Sequence, residues 1–242
     1  MKPTILICTP DHRSRRFEQC LASVTETCAG VDHEVVIFDN RCDPEFSHSR
    51  AINRALSIAG DALVTLDDDV VVQGDWLAQM LDAARGDVGI VTCSVYRDAT
   101  RLNSRAWTCD RDGRPKNWRG EITDPVYVPA ACSCCMLIRP NVAQAACASG
   151  SAAVPLRAST DYAKYYFDPD LCLSAWEYGV KVVTVPAPII HKGAGYTQES
   201  GQDVKGLLAH DRSLFRERWL DSGRLRALRN KYESLWPETL TW

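Results

Sequence analysis

The sequence predicts an α/β fold with a mostly parallel central sheet flanked by helices, and three observations carry that expectation. Strand-like apolar runs alternate with segments of helical periodicity through residues 1–96, the pattern of βαβ units. Strand and helix patterns return after residue 130 and extend the sheet into the second half. The chain has 242 residues, 45% hydrophobic and 24% charged, which suffices for one sizeable core.

The elements follow in order. Apolar runs at 4–8, 35–38, 62–66 and 88–92 read as strands. Between them, 16–26, 49–59 and 76–84 read as helices. Phe17, Cys20, Leu21 and Val24 recur at i, i+3, i+4 and i+7, and Ile52, Leu56 and Ala59 line one face of the next helix. After Tyr96 the alternation stops. The stretch 98–125 is rich in Arg, Asp, Gly and Asn and reads as an insertion or lid, with Cys109-Asp110-Arg111-Asp112-Gly113-Arg114 as a hairpin turn. An apolar run at 130–138, a helix near 141–148, a helix over 168–178 and a strand over 180–185 follow. The segment 203–231 is helical in pattern and carries Leu207, Leu208, Leu214, Phe215, Trp219 and Leu220, as a C-terminal cap or dimer contact would. No repeat, low-complexity tract or linker divides the chain, so a single domain over 1–242 is expected.

A net charge of −3 supplies no basic field of the kind that non-specific nucleic-acid binding needs. The eleven cysteines are odd in number, irregularly spaced and partly inside apolar runs, and no signal peptide is visible; reduced, packed thiols in a cytoplasmic enzyme are the expectation. Cys132, Cys134 and Cys135, with Cys109 and Cys147, lack the paired C-x-x-C spacing of a zinc site. No apolar run approaches the roughly 18 to 20 residues that span a bilayer, so any membrane association is expected to be peripheral.

The sharpest chemical feature is Asp67-Asp68-Asp69, which interrupts the apolar run from Ala62 to Val72. Burying charge is costly unless it is paired or metal-bound. If the strand ends near Leu66, the triplet lies at its C-terminal edge, where open α/β sheets bind ligands. Hard oxygen ligands there suit Mg2+ or Mn2+ bridging a diphosphate. The competing reading is a solvated acidic turn. Asp39 and Asn40 end a neighbouring strand in the same way, and a nucleoside fits between the two edges. Asp168 and Asp170 stand at a helix start, placed for a general base or for ordinary N-caps. His191 ends the run Pro186-Ala187-Pro188-Ile189-Ile190, as a ligand or a structural histidine.

Taken in order, these pieces resemble the family 2 glycosyltransferases of the GT-A, Rossmann-like fold. Ile5-Leu6-Ile7-Cys8-Thr9-Pro10 is similar to the family's opening strand, and Phe38-Asp39-Asn40 to its next motif. Ser49-Arg50-Ala51-Ile52-Asn53-Arg54-Ala55-Leu56 before Thr65-Leu66-Asp67-Asp68-Asp69-Val70 resembles the helix leading into its D-x-D strand. Asp168-Pro169-Asp170-Leu171-Cys172-Leu173 resembles its E-D region, and Phe215-Arg216-Glu217-Arg218-Trp219 its late F-x-x-x-W. Phe167 stands where the family commonly has glutamate, and Ser174 where an arginine often follows.

The resemblance implies a division into a nucleotide-sugar-binding half over 1–96, an acceptor and catalytic half over 97–200, and a helical extension over 201–242. It implies that Thr9, Pro10, Arg13, Asp39, Asn53, Asp67 and Asp68 form the donor pocket, with Asp67, Asp69 and His191 on a Mn2+ or Mg2+ ion. Lys192 and Tyr196 would close over the diphosphate. Asp168, with Asp170 as fallback, would deprotonate the acceptor. The implied reaction is metal-dependent, inverting transfer from a nucleotide-diphosphate sugar, UDP-sugar favoured, to a hydroxyl. The acceptor could be a glycan, a lipid-linked glycan, a protein or a nucleic acid. Trp107 and Trp118, with Arg101, Arg105, Arg111, Arg114 and Arg119, suit a sugar or an anionic acceptor, or a plain solvated hairpin. A nucleotidyltransferase is the main alternative, but Thr9 to Arg16 contain no glycine for a phosphate loop. A non-catalytic nucleotide-sugar-binding module is the other; it would need no positioned base.

Overall fold

The computed structural model describes residues 1–41, 46–142, 156–193 and 203–240. Strand β1 (Pro3–Thr9) lies between β2 (Glu34–Asp39) and β3 (Ala62–Asp67), parallel to both. Helices α1 (Arg15–Thr27) and α2 (His48–Leu56) make the two crossovers. Each starts on a serine whose hydroxyl accepts a backbone N–H, Ser14 from Phe17 and Ser47 from Arg50, which satisfies a donor the helix leaves open. The sheet continues through β10 (Cys135–Ile138), β5 (Val88–Tyr96), β11 (Lys181–His191) and β4 (Val70–Val72), in the order β2-β1-β3-β10-β5-β11-β4. β10 runs antiparallel between β3 and β5, and β4 antiparallel to β11; the other neighbours on this path are parallel.

Successive side chains of a strand point to opposite faces, so a strand covered on both sides reads as a continuous apolar run. Ile5 and Ile7 join one core layer with Phe17, Val24, Trp76 and Met80, on α1 and α3 (Trp76–Ala83). Leu6 joins the other with Ile52, Met136, Trp176 and Phe215. That second layer includes α4 (Phe167–Glu177) and the C-terminal helices α5 (Val204–Phe215) and α6 (Arg224–Tyr232).

Several expectations need adjusting. The strand expected over 180–185 continues to His191, with a register shift between Val185 and Pro188 that accommodates the prolines. Of the apolar run 130–138, only Cys135–Ile138 is strand. The C-terminal helical segment is broken: α5 passes into a wider-wound turn over Arg216–Asp221 and stops at Gly223, whose φ of 77° favours glycine, before α6 begins. It packs on its own chain, with Phe215 and Trp219 fully buried and Trp176 packed against Tyr232 and Trp236. The expected helix near 141–148 lies mostly outside the described residues.

The hairpin turn forms as expected between β7 (Ala106–Cys109) and β8 (Pro115–Trp118). Trp118 Nε1 donates to Thr239 at 3.0 Å, and Trp107 packs edge-on against Tyr166 and Phe215. This hairpin is thus tied to the C-terminal segment. The remaining strands are β6 (Leu102–Ser104), beside β5, and β9 (Val126–Tyr127), beside β11. Among the described cysteines all are free thiols, and Cys135 Sγ lies 3.9 Å from Cys93 Sγ in the core. No helix among the described residues is long and apolar enough to cross a membrane.

Candidate active site

The parallel strands β1, β2 and β3 end together at Thr9, Asp39 and Asp67, and a cavity of about 660 Å³ opens at that edge. Asp67 closes β3, Asp68 and Asp69 make the turn, and Val70 begins β4. Because β4 pairs with the end of β11 in the register His191↔Val70, the histidine is brought beside the triplet. His191 Nε2 lies 3.1 Å from Asp69 Oδ1 and 3.7 Å from Asp67 Oδ2. Ligand atoms of Asp67, Asp69 and His191 all fall within 4.8 Å of one another, close enough to share one cation.

Electrostatics agree with that reading. Burial alone would lower the pKa of His191, but the hydrogen bond to Asp69 and the charges of Asp67 and Asp69 outweigh it and push it up to about 9. Burial raises the Asp69 carboxyl, and the His191 hydrogen bond and charge reverse this to a net lowering. Two carboxylates and one imidazole are a donor set that suits Mn2+ or Mg2+ better than a soft metal.

Asp68 lines the cavity as well but is outside the group of three that could share a cation. Its Oδ2 accepts from Thr9 Oγ1 at 2.7 Å and from Arg16 Nε at 3.3 Å, and burial raises its pKa. The expected donor-pocket residue Thr9, fully buried, thus meets the triplet through its hydrogen bond to Asp68. Arg16 is missed by sequence reasoning, and only its place in the first turn of α1 hints at it. Pro10 lines the cavity; Arg13 is exposed and does not. Asp39 is fixed by Arg41, whose hydrogen bonds hold its carboxyl well below the usual range, and by His12 at 3.0 Å. The next residue is the one in the cavity wall: Asn40 Oδ1 is buried there with no hydrogen-bond partner among the described residues. A buried acceptor without a donor costs about 1–3 kcal/mol, an observation that fits a ligand donor at that point.

Other expected residues separate from the cavity. The Asn53 amide is engaged in both directions with the backbone of Ala158, Nδ2 donating at 2.8 Å and Oδ1 accepting at 2.9 Å. Lys192 Nζ donates to Gln19 Oε1 at 2.6 Å and is not in the cavity wall. Tyr196 lies outside the described residues.

The two carboxylates of α4 have different surroundings. Asp168 is recessed in the cavity wall, its Oδ2 accepting from Ser133 N at 3.2 Å, and burial pushes its pKa up to about 7. That is the poise of a general base at neutral pH. Asp170, two residues on, points into the core. It is 1% exposed; Oδ1 accepts from Trp219 Nε1 at 2.6 Å and from Tyr162 Oη at 3.2 Å, and forms an ion pair with Arg218 Nε at 3.1 Å. Its buried donors leave it no route to a substrate. Asp170→Ala is therefore expected to lower stability by about 3–5 kcal/mol, because it leaves a cation and two polar groups unpaired. Urea denaturation measures this, and a loss under about 1 kcal/mol contradicts a structural role for Asp170.

Sequence reasoning misses the segment from Ala163 to Tyr166. With Phe46, His48 and Trp107, it supplies much of the cavity's aromatic wall, and Lys164 lines the cavity too. A cluster of tyrosines around a lysine just before Asp168 is the available signal.

Residues 41–145 match the family model described as Glycosyl transferase family 2, a stretch that includes Asp67, Asp68 and Asp69 but ends before Asp168 and His191. No curated protein sequence matches the chain. Among solved structures, a Drosophila beta-1,4-galactosyltransferase 7 mutant with manganese, UDP-Gal and xylobiose superposes with a TM-score of 0.53 at 12% identity, over 86% of this chain and 79% of that one. GalNAc-T7 with UDP, GalNAc and Mn2+ gives 0.52 at 12% identity, over 78% of this chain, which spans 43% of that one. S. aureus TarS 1-349 gives 0.50 at 12% identity, over 98% of this chain and 78% of that one. At these identities the likeness is one of fold.

Proposed function

The chain carries the family 2 glycosyltransferase pattern over residues 41–145 within a GT-A fold, and from that premise we propose that it transfers a sugar from a nucleotide-diphosphate sugar, UDP-sugar favoured, to a hydroxyl acceptor with inversion. One observation carries the reading: Asp67, Asp69 and His191 converge at the edge of β1 to β3, in the same cavity as a carboxylate poised near neutrality, Asp168. Asp67, Asp69 and His191 would hold a divalent cation, which when bound supplies positive charge to the departing diphosphate. Asn40 Oδ1 offers an acceptor to the nucleoside, and the aromatic wall offers faces to the sugars.

Asp168 does the proton work. Ionised, it accepts the acceptor's hydroxyl proton as the oxygen bonds to the anomeric carbon, while the bond to the diphosphate breaks and its electron pair leaves with the nucleotide. The Ser133 N–H fixes the carboxylate's orientation, and burial keeps its basicity high enough to take the proton.

Thermal stabilisation of the protein by UDP, GDP, ADP and CDP, with and without Mn2+, tests the donor site. Ligands of the native state raise its stability by RT ln(1 + [L]/Kd), about 2.7 kcal/mol at a hundredfold excess over Kd. Stabilisation by one of them, UDP first, that requires Mn2+ is the expected result. Indifference to all four defeats the donor reading.

A further inference from the structure

Asp168 stands in the first turn of α4, and the residues on either side of it are bonded to one another. Asp170 N donates to Tyr166 O at 3.0 Å, and Asp170 Oδ1 accepts from Tyr162 Oη at 3.2 Å. The segment before α4 and the helix's first turn thus form one bonded unit, from which Asp168 reaches the cavity wall. A general base acts only within hydrogen-bond reach of the proton it takes, so whatever fixes this unit fixes the base.

Asp211, on α5, fixes it. The side chain is fully buried, and its carboxylate accepts three successive backbone N–H groups: Ala163 at 2.8 Å, Lys164 at 2.8 Å and Tyr165 at 2.7 Å. Successive N–H groups converging on one anion form a nest, and bonds to a charged acceptor are about twice as strong as neutral ones. His210 Nδ1 lies 3.0 Å from the same carboxylate. Tyr166 follows with a left-handed φ of 63°, uncommon for a residue that carries a side chain. Such a conformation persists only where its surroundings over-determine it. Here the Asp211 carboxylate holds the backbone before Tyr166, the tyrosine hydroxyl donates to Gly113 O at 2.9 Å, and its ring packs on Phe215, fully buried on the same helix as Asp211.

Resting on the reading of Asp168 as the base, we propose that Asp211 is a positioning residue for transfer: its carboxylate, carried on α5, sets the backbone that brings Asp168 to the cavity. The cation site is built from other elements, Asp67 and Asp69 around the turn between β3 and β4, and His191 at the end of β11. Asp211 therefore acts on the proton-transfer step and leaves donor binding alone.

The rate of UDP release from UDP-glucose or UDP-galactose with Mn2+, measured on the full chain beside calorimetric titration of UDP, tests this. Asp211→Asn keeps the side chain's shape and one acceptor oxygen, which favours folding, but it turns an amide donor toward backbone donors. Its kcat is expected to fall about tenfold to a hundredfold, the scale of a displacement of about 1 Å at the reacting groups. KM for the donor and the affinity for UDP are expected to stay within about threefold of the parent. In an Asp168→Asn background the same substitution is expected to cost less than about threefold more, since both act at one point. A full additional loss there overturns the positioning role. So does unchanged kcat in Asp211→Asn, and so does loss of UDP binding in that variant, which makes the carboxylate a requirement of the fold alone. If Asp168→Asn by itself keeps more than a tenth of the parent's kcat, the base reading falls and takes this role with it, a result distinct from the other three.

Discussion

Asp168→Asn is expected to lower kcat for transfer by about 10²–10⁴-fold, the range a positioned general base contributes, while the nucleoside diphosphate still binds. The pH profile separates this from a folding defect. With the Asp168 carboxyl at about 7, the parent's rate is expected to fall about tenfold per pH unit below that value, and the asparagine variant's residual rate to be flat. The stability effect has the opposite sign. A carboxyl whose folded pKa is raised above its unfolded value favours the protonated state, so the native protein loses stability as pH rises through about 7. Asparagine mimics the neutral acid, so the variant is expected to be inactive yet more stable than the parent at pH 8, in urea denaturation alongside a transfer assay. A variant that keeps more than a tenth of the parent's kcat removes Asp168 from the mechanism.

The second large effect is at the cation site. Asp69→Ala removes one of three donors and the hydrogen-bond partner of His191, and is expected to abolish Mn2+-dependent activity, a loss of about a thousandfold or more. The linked proton is the specific signature. With His191 at about 9, the imidazole is protonated at pH 7, and a cation must displace that proton to bind. Binding of Mn2+ to the parent protein at pH 7 is therefore expected to release about one proton, and its affinity to rise with pH up to about 9. Without Asp69 the histidine loses its strongest proton-retaining contact. Calorimetry in two buffers of different ionisation enthalpy counts the protons; Mn2+ binding to the parent with no proton release excludes His191 as a ligand.

The sequence makes parts of this legible for physical reasons. Strands covered on both faces print continuous apolar runs, so β1, β3 and β5 can be read directly, and three carboxylates at the end of such a run have to mean an edge or a site. The pairing of His191 with Asp69 depends on the β4–β11 register, which joins residues far apart in the chain, so only its plausibility is readable. Asp168 and Asp170 have the same side chain and nearly the same position, and neighbours distant in sequence separate them. Trp219 and Arg218 draw Asp170 into the core, while Ser133 meets Asp168 at the cavity. Asn53 is assigned to the donor pocket by resemblance, and its partner Ala158 lies in a stretch with no periodic pattern. The buried carboxylate of Asp211, which accepts the backbone N–H groups of Ala163, Lys164 and Tyr165, is out of reach for the same reason: three backbone amides leave no trace in side-chain identity.

The measurement that bears most directly on the whole account is release of nucleoside diphosphate from nucleotide sugars, UDP-glucose and UDP-galactose first, by the parent protein with and without Mn2+, with Asp168→Asn in parallel. Sugar-dependent release that requires the cation and disappears in the variant is the predicted result. Parent protein that releases no diphosphate from any nucleotide sugar offered, with or without Mn2+, contradicts it.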